Sequence, residues 1–177
     1  MKSDELVHLR PVCPADYEYA MLLAGSQDSG ILWKFRGATP SPEVLARCMH
    51  DGFYCHYVVV DAFGERSGFV GLYNVNLASG FGFLHALSVP RTRQALVTLR
   101  GTFGVLDFGF ETLGLQKVYF EGPELTAKAI GLGNWSEFLE EEGRLREHEI
   151  LLGKRVDFVT YALYKEKWEL ARSIFTR

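Results

Sequence analysis

Three groups of residues in this chain carry the types and spacing that chemistry needs. Within the run 117–121, Tyr119 and Glu121 fall on one face and Val118 and Phe120 on the other, because successive side chains of a strand alternate. Glu121 closes the run, where a carboxylate can act as a general base; its alternative is a solvated strand-end charge. His85 shares one strand face with Phe81, Phe83, Leu87 and Val89. An unperturbed imidazole titrates near pH 6.5, which suits proton transfer, and the competing role for His85 is packing. Arg91, Arg93 and Arg100 surround a helix start with no carboxylate nearby. Free amides and the positive end of the dipole make such a start an anion site. Glu124 can serve as a base or simply favour the start of a short helix. Nucleophilic catalysis has little support, because no Ser-His-Asp or Cys-His pattern is legible.

These residues need elements to position them. Alternating hydrophobicity predicts strands over 6–11, 54–62, 69–76, 81–89 and 117–121. The first helix is expected from Pro14 to about Gly25. Ser41 as N-cap and Pro42 at the first helical position start a second, running to about 51–52. Short polar turns at 64–68 and 78–80 suggest an antiparallel meander of three strands. A helix over about 96–113, stopped by Gly114, then connects two strands that must be parallel. A short helix over about 125–132, a hairpin around Gly153 and Lys154 (141–152 with 155–164), and a closing helix over 165–175 complete the order. The fold class expected is α+β: a mixed, mostly antiparallel sheet with one parallel crossover, flanked by helices.

Composition sets the outer limits. The chain has 177 residues, 47% of them hydrophobic, with a formal net charge of −3. That length predicts one domain, residues 1–177. The hydrophobic content argues against disorder, and a sequence pI near 6.0 argues against a general nucleic-acid binder. No apolar run reaches the 18 residues a membrane helix needs. The first ten residues hold Lys2, Asp4, Glu5 and Arg10 without an apolar core, so no signal peptide is expected. Cys13, Cys48 and Cys55 share no metal-ligand spacing. They read as reduced thiols of a cytoplasmic protein, and no metal is expected. Glycine makes up about 10% of the chain (18 residues) against a usual share of about 7%. The excess reads as turn chemistry, with Gly64, Gly68, Gly80, Gly114, Gly143 and Gly153 all placed at turns or helix ends.

Two segments resemble the GNAT superfamily of acyl-CoA-dependent N-acyltransferases. The first is Glu141-Glu142-Gly143-Arg144-Leu145-Arg146-Glu147-His148, followed by Gly153-Lys154-Arg155-Val156-Asp157, Tyr161-Ala162-Leu163 and Trp168. It is similar to the ending of the Rim-type branch, which acetylates amino termini of ribosomal proteins. The second is Phe110-Glu111-Thr112-Leu113-Gly114-Leu115-Gln116-Lys117-Val118, which resembles the end of the family's central helix and the next strand. The resemblance implies the GNAT fold along nearly the whole chain, with acetyl-CoA or another acyl-CoA as co-substrate. It implies a small-molecule or peptide amine as acceptor.

The family's pyrophosphate turn then falls on Arg93, Gln94, Ala95, Leu96, Val97 and Thr98. Arg93 is in register with the family's arginine, but Gln94 and Leu96 stand where two glycines belong. Thr126 falls at the family's asparagine, and Gly133 at its acid tyrosine; Asn134 or Trp135 would have to be displaced to fill that role. Phe83 stands where a glutamate is often found. The third meander strand, ending at Leu87 and Val89, implies backbone amides that polarise the acyl carbonyl. Trp33 and Phe35 lie where the family builds its acceptor pocket, which Tyr119 also joins; core packing is their alternative. The run Glu140-Glu141-Glu142 is either a solvated edge or an attractor of cationic substrate. Taken together, the residues imply a GNAT-type N-acyltransferase, monomeric or homodimeric, with catalytic Glu121 and His85. The departures leave two alternatives: a non-catalytic GNAT-like binding protein, or an acyltransferase fed by a carrier-protein thioester.

Overall fold

The computed structural model describes residues 7–26, 33–36, 38–89, 92–129, 135 and 137–175. The elements are β1 (His8–Pro11), α1 (Tyr17–Gly25) after a 3-10 turn at Pro14–Asp16, α2 (Pro42–His50), β2 (Phe53–Val60), β3 (Arg66–Asn76), β4 (Phe81–Ser88), α3 (Arg93–Asp107), β5 (Lys117–Pro123), α4 (Glu124–Ala129), β6 (Leu139–Leu151), β7 (Lys154–Tyr164) and α5 (Lys165–Phe175). Their order is the one the sequence predicts. Residue 6 and residues 130–132, assigned above to the first strand and the short helix, lie outside the described residues. So do Pro90, Arg91, Gly133 and Asn134.

The strands are hydrogen-bonded in the order β1-β2-β3-β4-β5-β7-β6. β4 and β5 are parallel, as a strand–helix–strand connection requires, with Phe81, Gly82 and Phe83 opposite Lys117, Val118 and Tyr119. β1 with β2, β2 with β3, β5 with β7 and β6 with β7 are antiparallel. The chain divides into two compact units. Unit one runs to Asn74 and includes His85–Val105; unit two holds Val75–Leu84 and everything from Leu106.

In unit one, Ser41 caps α2, its hydroxyl accepting from the Val44 amide at 3.4 Å. Leu45 and Met49, one turn apart, point inward from that helix and join Ala20, Leu23, Val58, Phe69 and Leu87 in the core. α3 starts three residues earlier than expected, at Arg93. Thr92 ends the preceding loop there, its oxygen accepting from the Ala95 amide at 3.3 Å, which satisfies one of the amides a helix start leaves open.

Glycines set how closely α3 packs in this unit. Gly68 is a strand residue and not part of a turn. A Cβ built there would overlap the Leu87 carbonyl oxygen and Thr98 Oγ1. A Cβ at Gly101 would come within 2.7 Å of Val59 and 3.2 Å of Leu9.

In unit two the helical run ends in a π-turn, Phe108–Thr112, and reverses at Gly114, whose φ of +70° suits glycine. Trp168 of α5 is 1% exposed. Its indole N–H donates to Asp107 at 2.9 Å and its ring lies 6.4 Å from that of Phe110. Among the described residues no helix is long and apolar enough to cross a membrane, and no group of His, Cys, Asp and Glu could hold a metal ion. All three cysteines are free.

Candidate functional site

In unit two, the parallel register sets Phe81 and Phe83 beside Lys117 and Tyr119. The Phe83 and Tyr119 rings are 5.0 Å apart, and Phe81 meets Tyr119 edge-on at 5.9 Å. The antiparallel register sets Lys117 opposite Tyr164. β6 then contributes through an irregularity. Its pairing with β7 shifts between Glu141 and Gly143, leaving Glu142 as the extra residue of a bulge, a device that re-aims a side chain. Glu142 turns toward β5.

Its carboxylate is heavily engaged. Lys117 Nζ donates to both oxygens at 2.8 and 3.1 Å, the Tyr119 hydroxyl donates at 3.0 Å, and the Tyr164 hydroxyl donates to Oε1. The Lys117 ammonium also lies 4.7 Å from the Tyr164 ring centre and 5.3 Å from that of Tyr119. Hydrogen bonding to Glu142 holds Lys117 above its ordinary pKa. The same lysine, with Tyr164, holds the Glu142 carboxyl below its own.

The neighbouring acids are engaged as well. Arg144 binds Glu141 at 2.7 Å, Asp157 at 2.8 Å and Glu124 at 3.3 Å, and Lys167 reaches Glu140 at 3.2 Å. The acidic run is therefore neutralised residue by residue by the chain's own bases. Glu121 ends the patterned part of β5 and is exposed. Thr126 lies in α4, and its hydroxyl is buried without a hydrogen-bond partner among the described residues.

Unit one holds the other assigned residues. The first turn of α3 presents Arg93, Gln94 and Leu96 to solvent, Leu96 being 65% exposed. The Arg93 guanidinium lies over the Phe63 ring at 5.2 Å and 3.8 Å from Asp61. Ala95 is half-buried, while Val97 and Thr98 turn inward. Thr98 Oγ1 sits 2.9 Å from both the Ser67 and Gln94 carbonyl oxygens. The Val97 and Thr98 side chains are thus packing groups, and their amides, past the first turn, are spent on bonds within the helix. Leu87 is a core side chain and Val89 packs against the same core. Trp33 is 7% exposed, and with Phe35, whose ring it meets at 4.9 Å, it belongs to that core as well. The structure places both in packing roles.

His85 is half-buried and meets the His56 ring edge-on at 5.2 Å and that of Phe53 at 5.3 Å. His56 is 8% exposed, stacks on Phe53 at 3.9 Å and donates from Nδ1 to the Met49 carbonyl at 2.8 Å. Burial is the main cause that depresses both rings, His56 to about 4, with His50 and Lys34 nearby, and His85 to about 3, with His56 and Lys34 nearby. Both are neutral at pH 7, and His85 is a weak base there.

Folded pKa values below the unfolded one mean that the unfolded chain binds more protons through this window. The stability they contribute is complete above about pH 6.5 and is lost as pH falls toward 4. We expect the urea midpoint to drop over that interval, and His56→Gln to flatten the drop by about 2 kcal/mol. An unchanged slope in the variant would refute the assignment.

No family model and no curated protein sequence matches the chain. Solved structures do. Spermidine N-acetyltransferase from Vibrio cholerae in complex with CoA and spermine superposes with a TM-score of 0.74, covering 92% of this chain and 98% of that one at 22% identity. A mutant of the same enzyme gives 0.71, 94%, 98% and 23%. A chimera of it with a second acetyltransferase gives 0.71, 92%, 98% and 20%. This chain has the GNAT fold. The likeness extends across nearly all of both chains. At this identity it speaks for the fold alone, and the chemistry rests on the side chains.

Among those, the sequence brought Tyr119 and Glu121 to notice through strand alternation. Lys117 lies on the same face by the same rule. Glu142 and Tyr164 carried no signal for joining it, because a bulge has no local pattern.

Proposed function

We propose that the chain is a GNAT-type N-acyltransferase that moves an acetyl or other acyl group from acyl-CoA to a primary amine of a small molecule or peptide. The observation that carries this reading is the superposition on an N-acetyltransferase that binds CoA and spermine, over 92% of this chain. The Rim-type resemblance of residues 141–168 supports an amine acceptor and extends the range to peptide amino termini.

The residues fit an acyl-CoA in each unit taken separately. In unit one, α3 is a 15-residue helix whose first-turn amides and Arg93 suit a pyrophosphate. Gln94 and Leu96 point outward and leave the backbone approachable. The amides of β4 near Leu87 and Val89 suit the acyl carbonyl. In unit two, the Thr126 hydroxyl is buried without a partner among the described residues and suits an acceptor on the ligand. Phe81, Phe83 and Tyr119 offer an apolar, π-rich surface to an alkylamine.

Glu121 takes the proton that the attacking amine must lose; His85, neutral and weakly basic, is the lesser base. The new C–N bond forms as the C–S bond breaks, and the thiolate leaves without a tyrosine at position 133 to protonate it, so water supplies that proton. Positioning then does most of the catalytic work. The protein acts as a single domain of residues 1–177, cytoplasmic, monomeric or homodimeric.

Thermal unfolding with millimolar acetyl-CoA tests the reading. At a hundredfold excess over Kd, bound ligand stabilises by about 2.7 kcal/mol, which for a chain of this size raises Tm by roughly 5–10 °C. An unmoved Tm with free CoA and with acetyl-CoA would overturn it. Binding without turnover of any amine would favour the non-catalytic alternative.

A further inference from the structure

An ammonium ion is recognised by a carboxylate that accepts its hydrogen bonds and by aromatic faces that attract its charge. Unit two contains such a site already filled. Lys117 Nζ sits 2.8 and 3.1 Å from the Glu142 oxygens and 3.3 Å from the Tyr119 hydroxyl, with the Tyr119 and Tyr164 rings at 5.3 and 4.7 Å. Two phenol protons fix the carboxylate in place, so the cage does not depend on the lysine alone for its geometry. It is also open to solvent: the Lys117 and Glu142 side chains are 24% and 28% exposed.

We propose that Lys117 is the specificity-determining residue of this face, its ammonium filling a cage that would otherwise hold the second ammonium of a diamine or polyamine. The proposal rests on the N-acyltransferase reading for its meaning, since it concerns the amine acceptor. An acceptor lying over Phe81, Phe83 and Tyr119 presents one amine for reaction. A second cationic centre meets a carboxylate already neutralised by Lys117, and the ammonium of Lys117 repels it. The chain therefore gains nothing from a second charge and takes monocationic amines.

Isothermal titration at low salt, with no acyl donor, compares propylammonium with butane-1,4-diammonium. Wild type is expected to bind the two within about twofold. Lys117→Met keeps the stem's bulk and removes its charge. That variant should bind the diammonium about tenfold more tightly than propylammonium, from one half-exposed ion pair plus a cation–π contact. Adding Glu142→Gln should abolish the gain. Should Lys117→Met fail to fold by circular dichroism, Lys117→Gln, which retains a hydrogen-bond donor toward Glu142, replaces it.

A folded variant that shows no preference for the dication overturns the proposal. So does a wild-type chain that already has that preference, or an absence of binding in all proteins. If acetyl-CoA leaves Tm unchanged while the Lys117→Met gain appears, the acyltransferase reading fails and the cage stands.

Discussion

Replacing Asp16 with alanine is expected to cost about 2–3 kcal/mol of stability, among the largest effects of any single change in unit one. Asp16 is completely buried, and five donors converge on it, the Cys13 thiol at 3.4 Å being the longest. Arg10 forks onto both oxygens at 2.6 and 3.0 Å, Arg66 Nε donates at 2.9 Å, and the Cys13 amide donates at 3.0 Å. The carboxylate thereby joins β1, the turn that opens α1, and the first residue of β3.

Burial by itself would push the carboxyl pKa up. The Arg10 guanidinium, the Cys13 amide and Arg66 outweigh it and hold Asp16 well below the usual carboxylate range. In alanine's place the two guanidinium groups, 43% and 40% exposed, can rehydrate, while the Cys13 amide is left without its acceptor. A folded pKa below the unfolded value of about 3.9 means that Asp16 contributes its full stability above about pH 4 and loses it as pH falls further. Urea titrations of wild type and Asp16→Ala should therefore differ most at neutral pH and converge below pH 4. A difference under about 1 kcal/mol at pH 7 would show that the cluster is a surface ion pair in energetic terms.

Gly68→Ala is the second large effect, expected at about 3 kcal/mol. The added methyl would overlap a backbone oxygen, that of Leu87, and the hydroxyl of Thr98. The Thr98 hydroxyl holds α3 against β3 through the Ser67 carbonyl, so neither neighbour can move without shifting strand or helix. Close-packed interiors have no slack to absorb such a shift. The displaced segment is the N-terminal half of α3, around Thr98, and on the acyltransferase reading the affinity for acetyl-CoA should fall together with Tm.

Gly104→Ala is the control. Its Cβ would meet only the end of the Leu9 side chain at 3.1 Å, and alanine favours a helix by about 0.5–1 kcal/mol over glycine. It should be neutral or stabilising. If the two substitutions cost the same, the close approach at Gly68 is not what holds α3 in place.

Much of the fold was legible because local rules wrote it. Ser41 and Pro42 start α2 as N-cap and first-turn residues do. Gly114 stops the central helical run, and the strand–helix–strand order required β4 and β5 to be parallel. Residues 165–175 form a helix, as read. The boundaries that moved did so for local causes too weak to weigh in advance: Thr92 caps α3 and adds a turn at its start, and a π-turn replaces its last residues.

Element order, the mixed sheet and the face shared by Tyr119 and Glu121 are local properties of the sequence. Each of these follows from side-chain period, capping or turn chemistry within a few residues. Tertiary structure alone decided what the charged groups do. Lys117 and Glu142 are 25 residues apart, and they meet because a bulge in β6 turns one carboxylate across two strands. Gly68, which fits a turn in the sequence, proves to be the close contact between a strand and a helix. Trp33 packs in the core of unit one and Phe35 against it. Such outcomes depend on which surfaces pack together and how closely, and no local pattern carries that information.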